Sequence, residues 1–306
     1  MASPFFIVGP TATGKSELAA DVAVRLNTEI VNADAFQIYE GFDVLSGKPD
    51  RAILAKLPHH LIGVVPVNQE MSAAKFRALA LPVISEIVAR GKLPLIVGGS
   101  GLYIKALTHG LDDTPPVDVR RREELNALTL EQLRDRLGEL DPIAFQQIDI
   151  NNRRRLVRAL EICLATGEPA STQRRQWRAR SGDFPVDEPY GIFVFRDRDD
   201  LYERINKRVE AMFSQGAIEE VRGCGKIGST AAQMIGIREI QQLINGDISL
   251  AESISKIQQF SRRYAKRQLT WFRQQTNLEA LNLSLLSHNE AVEWVTQRAL
   301  ARAHGE

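Results

Sequence analysis

The stretch Gly9-Pro10-Thr11-Ala12-Thr13-Gly14-Lys15-Ser16 has the spacing G-x-x-x-x-G-K-[ST]. An apolar run, Phe5 to Val8, leads into it, and Glu17 to Val22 reads as helix after it. A glycine-rich turn between strand and helix aims several backbone N–H groups at one point, and the helix N-terminus adds partial positive charge there. The natural occupant is an anion of phosphate size, a diphosphate. Lys15 supplies a point charge to its oxygens, and the Ser16 hydroxyl is placed to ligate a Mg2+ held by the same phosphates.

A carboxylate is placed to work beside that loop. Asp34 follows the run Glu29-Ile30-Val31-Asn32, which reads as a second strand. Ligands bind at the carboxyl ends of strands in open α/β sheets, so Asp34 is a candidate catalytic or Mg2+ group, with an N-cap or turn aspartate as the competing reading. Gly98-Gly99-Ser100-Gly101 makes a second tight turn, between the strand ending at Val97 and a helix from Leu102. Its glycines suit close approach of a ligand and close packing of a helix equally well.

The remaining strands argue against a hydrolytic motor. Nucleotide hydrolases with this loop hold Mg2+ through an Asp ending another strand. Here Leu61 to Val65 runs into Pro66, and Leu93 to Val97 runs into Gly98 and Gly99. No Asn-Lys-x-Asp guanine reader is present, since Asn206-Lys207-Arg208-Val209 lacks the Asp. A diphosphate in the loop can equally be a leaving group, whose developing charge the loop, Lys15 and Mg2+ would stabilise.

The elements that must position these groups follow from the pattern. Met71 to Arg90 reads as a helix kinked at Pro82. A turn-rich joint, Leu111 to Pro116, opens a helical stretch with helices at Val119 to Leu128, Leu130 to Leu140, Pro142 to Ile148, Asn152 to Thr166 and Ser171 to Arg180. The sheet resumes at Gly191 to Phe195, and Leu201, Ile205, Val209, Met212 and Phe213 form the core stripe of the next helix. The rest, including Ile254 to Arg273 and Glu290 to Ala303, reads as mostly helical. The expected fold is α/β: a P-loop NTPase-like parallel sheet flanked by helices, with an inserted all-helical domain. Its expected parts are 1–113, the helical insertion 114–186, and 187–306.

Composition fits a globular protein of 306 residues with 39 Lys and Arg against 38 Asp and Glu, so nucleic-acid binding would depend on local charge. Cys163 and Cys224 lie far apart and suggest neither a disulfide framework nor a zinc site. No signal peptide or membrane span is evident, and a cytoplasmic monomer is expected. Between Asn151 and Arg180 stand Arg153, Arg154, Arg155, Arg158, Arg174, Arg175, Arg178 and Arg180, against Glu161 and Glu168. Three arginines at a helix start oppose its dipole and call for an anion. A second cluster, Lys256, Arg262, Arg263, Lys266, Arg267 and Arg273, forms a basic arc on one helix, opposite Ile254, Ile257, Tyr264 and Trp271. With Trp177, Phe260 and Tyr264 interleaved, the two clusters point to a polyanion.

Six stretches together resemble the tRNA dimethylallyltransferase, or tRNA isopentenyltransferase, family from Phe5 to about Arg273. They are residues 9–16; Ala33 to Tyr39 with Gly47-Lys48-Pro49; Pro58-His59-His60-Leu61; Gly98 to Tyr103; Arg155 to Glu161; and Tyr264 to Arg273. The resemblance implies transfer of the dimethylallyl group from dimethylallyl diphosphate to N6 of adenosine at tRNA position 37. Asp34 would be the general base and Ser100, where the family usually has Thr, would position the diphosphate or amine. Gly9, Thr11, Ala12, Thr13, Gly14, Lys15 and Ser16 would hold the diphosphate, with Mg2+ on Ser16. The target base would leave its stack for a channel walled by Phe36 and Gln37.

On the same resemblance the anticodon stem-loop would meet Asp34, Ala35, Phe36, Gln37, Ser100, Arg120, Arg154, Arg155, Leu156, Val157, Arg158, Arg238, Arg262, Arg263, Lys266 and Arg267. Three positions depart from the family pattern: Ala35 for Ser, Gly63 for Asp and Ile237 for Tyr. His59 and His60 read as structural. The rival readings are an isopentenyltransferase for free adenine nucleotides, which has little use for the helical insertion, and a small-molecule P-loop kinase.

Overall fold

In the computed structural model, residues 4–111, 118–178 and 191–303 are described. The chain opens with β1 (Phe5–Val8), α1 (Lys15–Arg25) and β2 (Ile30–Asn32). Two single turns, α2 (Asp43–Ser46) and α3 (Arg51–Leu54), lead to the two-residue β3 (His59–His60). Then come α4 (Ala73–Ala89), β4 (Leu95–Gly98) and α5 (Gly101–Thr108). A helical stretch follows: α6 (Val119–Ala127), α7 (Leu130–Leu140), α8 (Pro142–Gln147), α9 (Arg153–Thr166) and α10 (Ala170–Arg178). The chain closes with β5 (Gly191–Phe195), α11 (Arg198–Ser214), α12 (Ala217–Gly223), α13 (Ile237–Ile244), α14 (Leu250–Gln275), β6 (Glu279–Asn282) and α15 (His288–Ala303).

The six strands form one parallel sheet in the order β3-β2-β4-β1-β5-β6. A parallel sheet is covered on both faces, which is why its central strands are apolar at every position. Phe6, Val8, Val31 and Ile96 pack on one side with Phe76, Ile104 and Phe272. Phe5, Ile7, Leu95 and Val97 pack on the other with Leu18, Val22, Val292 and Val295. The order brings the carboxyl ends of β2, β4 and β1 side by side, so Asp34, the glycine turn and the phosphate loop all leave the same end of the sheet.

Contacts group the chain into two compact units, Met1–Thr108 with Phe184–Glu306, and His109–Asp183. The joints expected at 113/114 and 186/187 lie outside the described residues. The helical unit has its own core, with Leu125, Leu133, Leu137, Leu156 and Leu160 at its centre. Capping fixes its helix starts: Thr129 and Gln132 form a capping box, the Asp141 carboxylate accepts from Ala144 N, and Asn152 accepts from Arg155 N.

One expectation is corrected. Leu61 to Val65 is not a strand: pairing stops at His60, and left-handed Leu61 (φ 61°) and Gly63 (φ 60°) turn the chain so that Val65 makes only an isolated bridge to Tyr39. The stretch after α14 is mostly helical, and Glu279–Asn282 adds the edge strand β6. Only Leu281 of its four residues is buried, so no apolar run announces it.

Two glycines of the turn after β4 are set by packing. A Cβ on Gly98 would lie 2.3 Å from the Ala33 carbonyl oxygen, and one on Gly101 would lie 2.4–2.7 Å from the Trp271 indole. Gly101→Ala is therefore expected to overpack the contact between α5 and α14, at a cost of about 1–3 kcal/mol. A thermal melt unchanged from the parent would contradict this account of Gly101.

Candidate active site

The loop from Gly9 to Ser16 is bent by backbone that favours glycine, with Gly14 at φ 91° and Ala12 left-handed at φ 64°. The Thr13 hydroxyl donates to the Pro10 carbonyl at 3.0 Å. The Lys15 ammonium donates to the same carbonyl at 3.3 Å. Lys15 is 9% exposed, and burial lowers its pKa to about 8, against a smaller opposing pull from Asp34 and a further lowering by Arg208.

Four side chains outside the motif hold the loop. Gln268 on α14 accepts from Thr11 N at 3.0 Å and donates to the Gly99 carbonyl at 2.8 Å, tying the phosphate loop to the glycine turn. Arg196 donates to the Thr13 carbonyl at 2.8 Å and Arg204 to the Ala12 carbonyl at 3.0 Å. Arg208 donates to the Thr11 hydroxyl at 2.8 Å and to the Ser46 carbonyl at 3.3 Å. Arg208 also explains Gly47, which is left-handed at φ 63°: a Cβ there would lie 1.7 Å from a guanidinium nitrogen. The core stripe read on α11 is present, but a second face of that helix reaches the loop. The signal in the sequence was the four-residue spacing of Asp200, Arg204 and Arg208.

Asp34 is half-buried just past β2. Its Oδ1 accepts from Phe36 N at 3.0 Å and Gln37 N at 3.4 Å, so the capping role expected of a turn aspartate is filled by one oxygen. No described residue hydrogen-bonds Oδ2. The Ser100 hydroxyl accepts from Ala35 N at 2.8 Å. Burial, reinforced by the Asp34 charge, pushes the Tyr264 phenol well above its ordinary pKa. A cavity of about 60 Å³ opens here, lined by Thr11, Asp34, Phe36, Arg208, Met212 and Tyr264. A wider groove runs along Lys15, Ser16 and Arg204. The Gln37 amide donates to the Gly47 carbonyl at 2.8 Å; of the two expected channel walls, Phe36 lines the 60 Å³ cavity and Gln37 lines a smaller cavity that Asp34 also borders.

The expected RNA contacts divide. In the helical unit Arg120, Arg154 and Arg155 are exposed. Leu156 and Val157 are corrected, since both side chains are buried in that unit's core. Arg158 is half-buried and donates to Glu161, which also takes a two-nitrogen grip from Arg122. Arg153 turns back onto carbonyls at the end of α6, including Asn126 at 2.6 Å, which offsets part of the charge at the start of α9. Trp177, Arg178 and Arg180 lie outside the described side chains.

On α13 and α14, Arg238, Arg263, Lys266 and Arg267 are exposed. Arg267 lies over the Tyr264 ring at 5.7 Å. Arg262 is instead packed inward, donating to Asn206 at 2.6 Å and facing the Tyr202 ring at 5.9 Å. Ile237, where the resemblance led to Tyr, is 2% exposed in an apolar cluster with Leu45 and Ile257.

Comparison with known proteins bears on the family and the fold. The family model described as IPP transferase matches residues 37–275. A tRNA dimethylallyltransferase of Geobacter sulfurreducens is 44% identical over 280 residues, covering 87% of this chain and 88% of its own. One from Caldanaerobacter subterraneus subsp. tengcongensis is 42% identical over 277 residues, covering 87% of each. The crystal structure of the tRNA isopentenylpyrophosphate transferase from Bacillus halodurans superposes with TM-score 0.72 at 34% identity, covering 99% of this chain and 97% of its own. A eukaryotic dimethylallyltransferase acting on tRNA shares the fold, with TM-score 0.80 at 23% identity, over 98% of this chain and 78% of its own.

The buried Lys15 generates a pH dependence. Binding of a diphosphate at the loop would draw on the ammonium form, which is lost as pH rises through about 8. Calorimetric titration with inorganic diphosphate is expected to show proton uptake at pH 8.5 and falling affinity above it. Lys15→Met should lower affinity at pH 7 by about 10–100-fold, the usual worth of a charged hydrogen bond, and abolish the uptake. Equal proton uptake in the variant would contradict the assignment.

Proposed function

The chain belongs to the IPP transferase family, and from that premise we propose that it transfers the dimethylallyl group of dimethylallyl diphosphate to N6 of an adenosine in tRNA, at position 37. The observation that carries this reading is the pairing, at the same end of the sheet on either side of β4, of the phosphate loop after β1 with a carboxylate after β2 whose Oδ2 is left for another group. The amide N–H groups of Thr13 to Ser16, the Lys15 ammonium and the Arg208 guanidinium would take the diphosphate and stabilise the charge that grows on it as the C1–O bond breaks. The apolar side of the 60 Å³ cavity, with Met212 and Phe36, would take the five-carbon chain and keep water from its electron-deficient carbon.

The adenine amino group is a weak nucleophile because its lone pair is delocalised into the ring. As N6 closes on C1, Asp34 would take the amine proton on Oδ2, while its other oxygen stays fixed by the Phe36 and Gln37 amides. The products are the N6-substituted adenosine, diphosphate and a protonated Asp34, which then releases its proton to solvent. Ser100, whose hydroxyl oxygen is held by Ala35 N, would orient the incoming amine.

Mg2+ suits the donor set. It binds through one or two protein oxygens together with substrate phosphates and retained waters, and the Ser16 hydroxyl stands at the start of α1 with Asp34 lining the same small cavity. When bound it would neutralise diphosphate charge. The exposed cations of each unit, Arg120, Arg154 and Arg155 in one and Arg238, Arg263, Lys266 and Arg267 in the other, would meet the anticodon stem-loop.

The test is transfer of label from dimethylallyl diphosphate to an anticodon stem-loop with adenosine at position 37, beside a guanosine-substituted loop and AMP. Label on the adenosine loop alone is expected, whereas label on AMP would favour a free-nucleotide enzyme. Asp34→Asn should lower single-turnover rates by about 10²–10⁴ while diphosphate binding persists, and an unchanged rate would remove Asp34 as base. Arg155→Ala should weaken stem-loop binding and reduce the log–log salt slope by about one. An unaltered slope would count against that contact.

A further inference from the structure

His59 and His60 form the two residues of β3 and differ in what they do. His60 Nε2 is 2.8 Å from the Glu29 carboxylate, in a network that also includes Arg90 and Lys92. His59 Nδ1 lies 3.0 Å from the Leu57 carbonyl. A carbonyl only accepts, so Nδ1 carries the proton and Nε2 presents a lone pair. That Nε2 is shielded from solvent and has no hydrogen-bond partner among the described residues.

The ring lines a cavity of about 10 Å³, room for about one water, together with Lys15, Ser16, Asn32, Asp34 and Gln37. Donors along that wall are engaged elsewhere: Asn32 with the Leu61 carbonyl at 3.0 Å, Gln37 with the Gly47 carbonyl and Lys15 with the Pro10 carbonyl. We propose that His59 is an outer-sphere partner of the metal: its Nε2 accepts a hydrogen bond from a water in the hydration shell of a Mg2+ carried by Ser16 and the bound diphosphate. Mg2+ gives up its waters reluctantly, and water on a dication is a strong donor that requires an acceptor when enclosed. Burial, with the neighbouring His60 acting in the same direction, lowers the His59 pKa against the pull of the Leu57 carbonyl, so the lone pair is present at neutral pH.

This assignment rests on the Ser16 metal reading, and the experiment separates the two. Inorganic diphosphate is titrated calorimetrically into the full chain at a series of Mg2+ concentrations. His59→Asn keeps a donor for the Leu57 carbonyl and lacks Nε2, while His59→Gln places an amide near the Nε2 position. His59→Asn is expected to need about tenfold or more Mg2+ for the same gain in diphosphate affinity, with Mg2+-free affinity unchanged and part of the loss recovered in His59→Gln.

Should His59→Asn fail to fold, His59→Phe carries the same expectation. Unchanged Mg2+ dependence in a folded variant overturns the role of His59, and so does an equal loss without Mg2+, which would tie Nε2 to the loop or Lys15. Absence of Mg2+ linkage in the parent protein overturns the metal reading at Ser16 and this inference with it.

Discussion

The site is built around positive charge that the protein itself does not neutralise. The Lys15 ammonium is buried with the Pro10 carbonyl as its hydrogen-bond partner, and the Arg208 guanidinium is held in the same pocket with a hydroxyl and a carbonyl as acceptors. Asp34 is the carboxylate that acts on both, and neither forms an ion pair with it. Lowering an ammonium from 10.5 to about 8 corresponds to a free-energy cost on the order of 3 kcal/mol for holding the charge there. On the proposed reading an arriving diphosphate would relieve that cost, and the loop itself would supply part of the affinity. The same arrangement leaves one Asp34 oxygen available: the carboxylate is held through Oδ1 by two backbone amides and is not locked in an ion pair with Lys15 or Arg208.

Such a loop holds its shape only if its surroundings come very close. β1, β4 and β2 meet there, and the backbone contacts leave no space for side chains: Gly9 faces the Val194 carbonyl, Gly98 the Ala33 carbonyl and Gly99 the Gln268 amide. Gln268 then does what neither strand can, joining Thr11 N to the Gly99 carbonyl through one planar group. From the other side, α11 presents Arg204 and Arg208 one turn apart to Ala12 and Thr11, while Arg196 holds Thr13 and is itself fixed by Asp200 at 2.9 Å. Donors on the carbonyls of Ala12 and Thr13 polarise the peptides whose N–H groups belong to Thr13 and Gly14, so the clamp strengthens the donors the anion meets.

What could be read in the sequence follows from how local each constraint is. The phosphate loop, the strand ends carrying Asp34 and the glycine turn, and the helices of the insertion are set by residues adjacent in the chain, and their apolar runs and caps announce them. The ring of Gln268, Arg196, Arg204 and Arg208 depends on α11 and α14 lying beside β1, a relation of some 200 residues in sequence that periodicity does not carry. Gly47 illustrates the difference. It was legible as part of a motif, but its reason is the Arg208 guanidinium 1.7 Å from where a Cβ would stand. The departures divide in the same way: Ile237 is absorbed by an apolar cluster and Gly63 by a left-handed turn, while Ala35 keeps the backbone N–H that Ser100 uses.

Charge counting is the part of the sequence that geometry revises most. Eight arginines against two glutamates suggest a local basic excess, but contacts within the helical unit take up Arg153 and Arg158. Glu161, 4% exposed, needs cations to be tolerated there and draws in Arg122 and Arg158. The free carbonyls at the end of α6 draw in Arg153. On α14, Asn206 and Tyr202 do the same to Arg262. Each of these cations orders a helix contact and therefore cannot also be counted at full strength toward RNA. Exposed cations such as Arg155 and Lys266 have no such competing duty, so a phosphate backbone meets them at little cost in lost internal contacts.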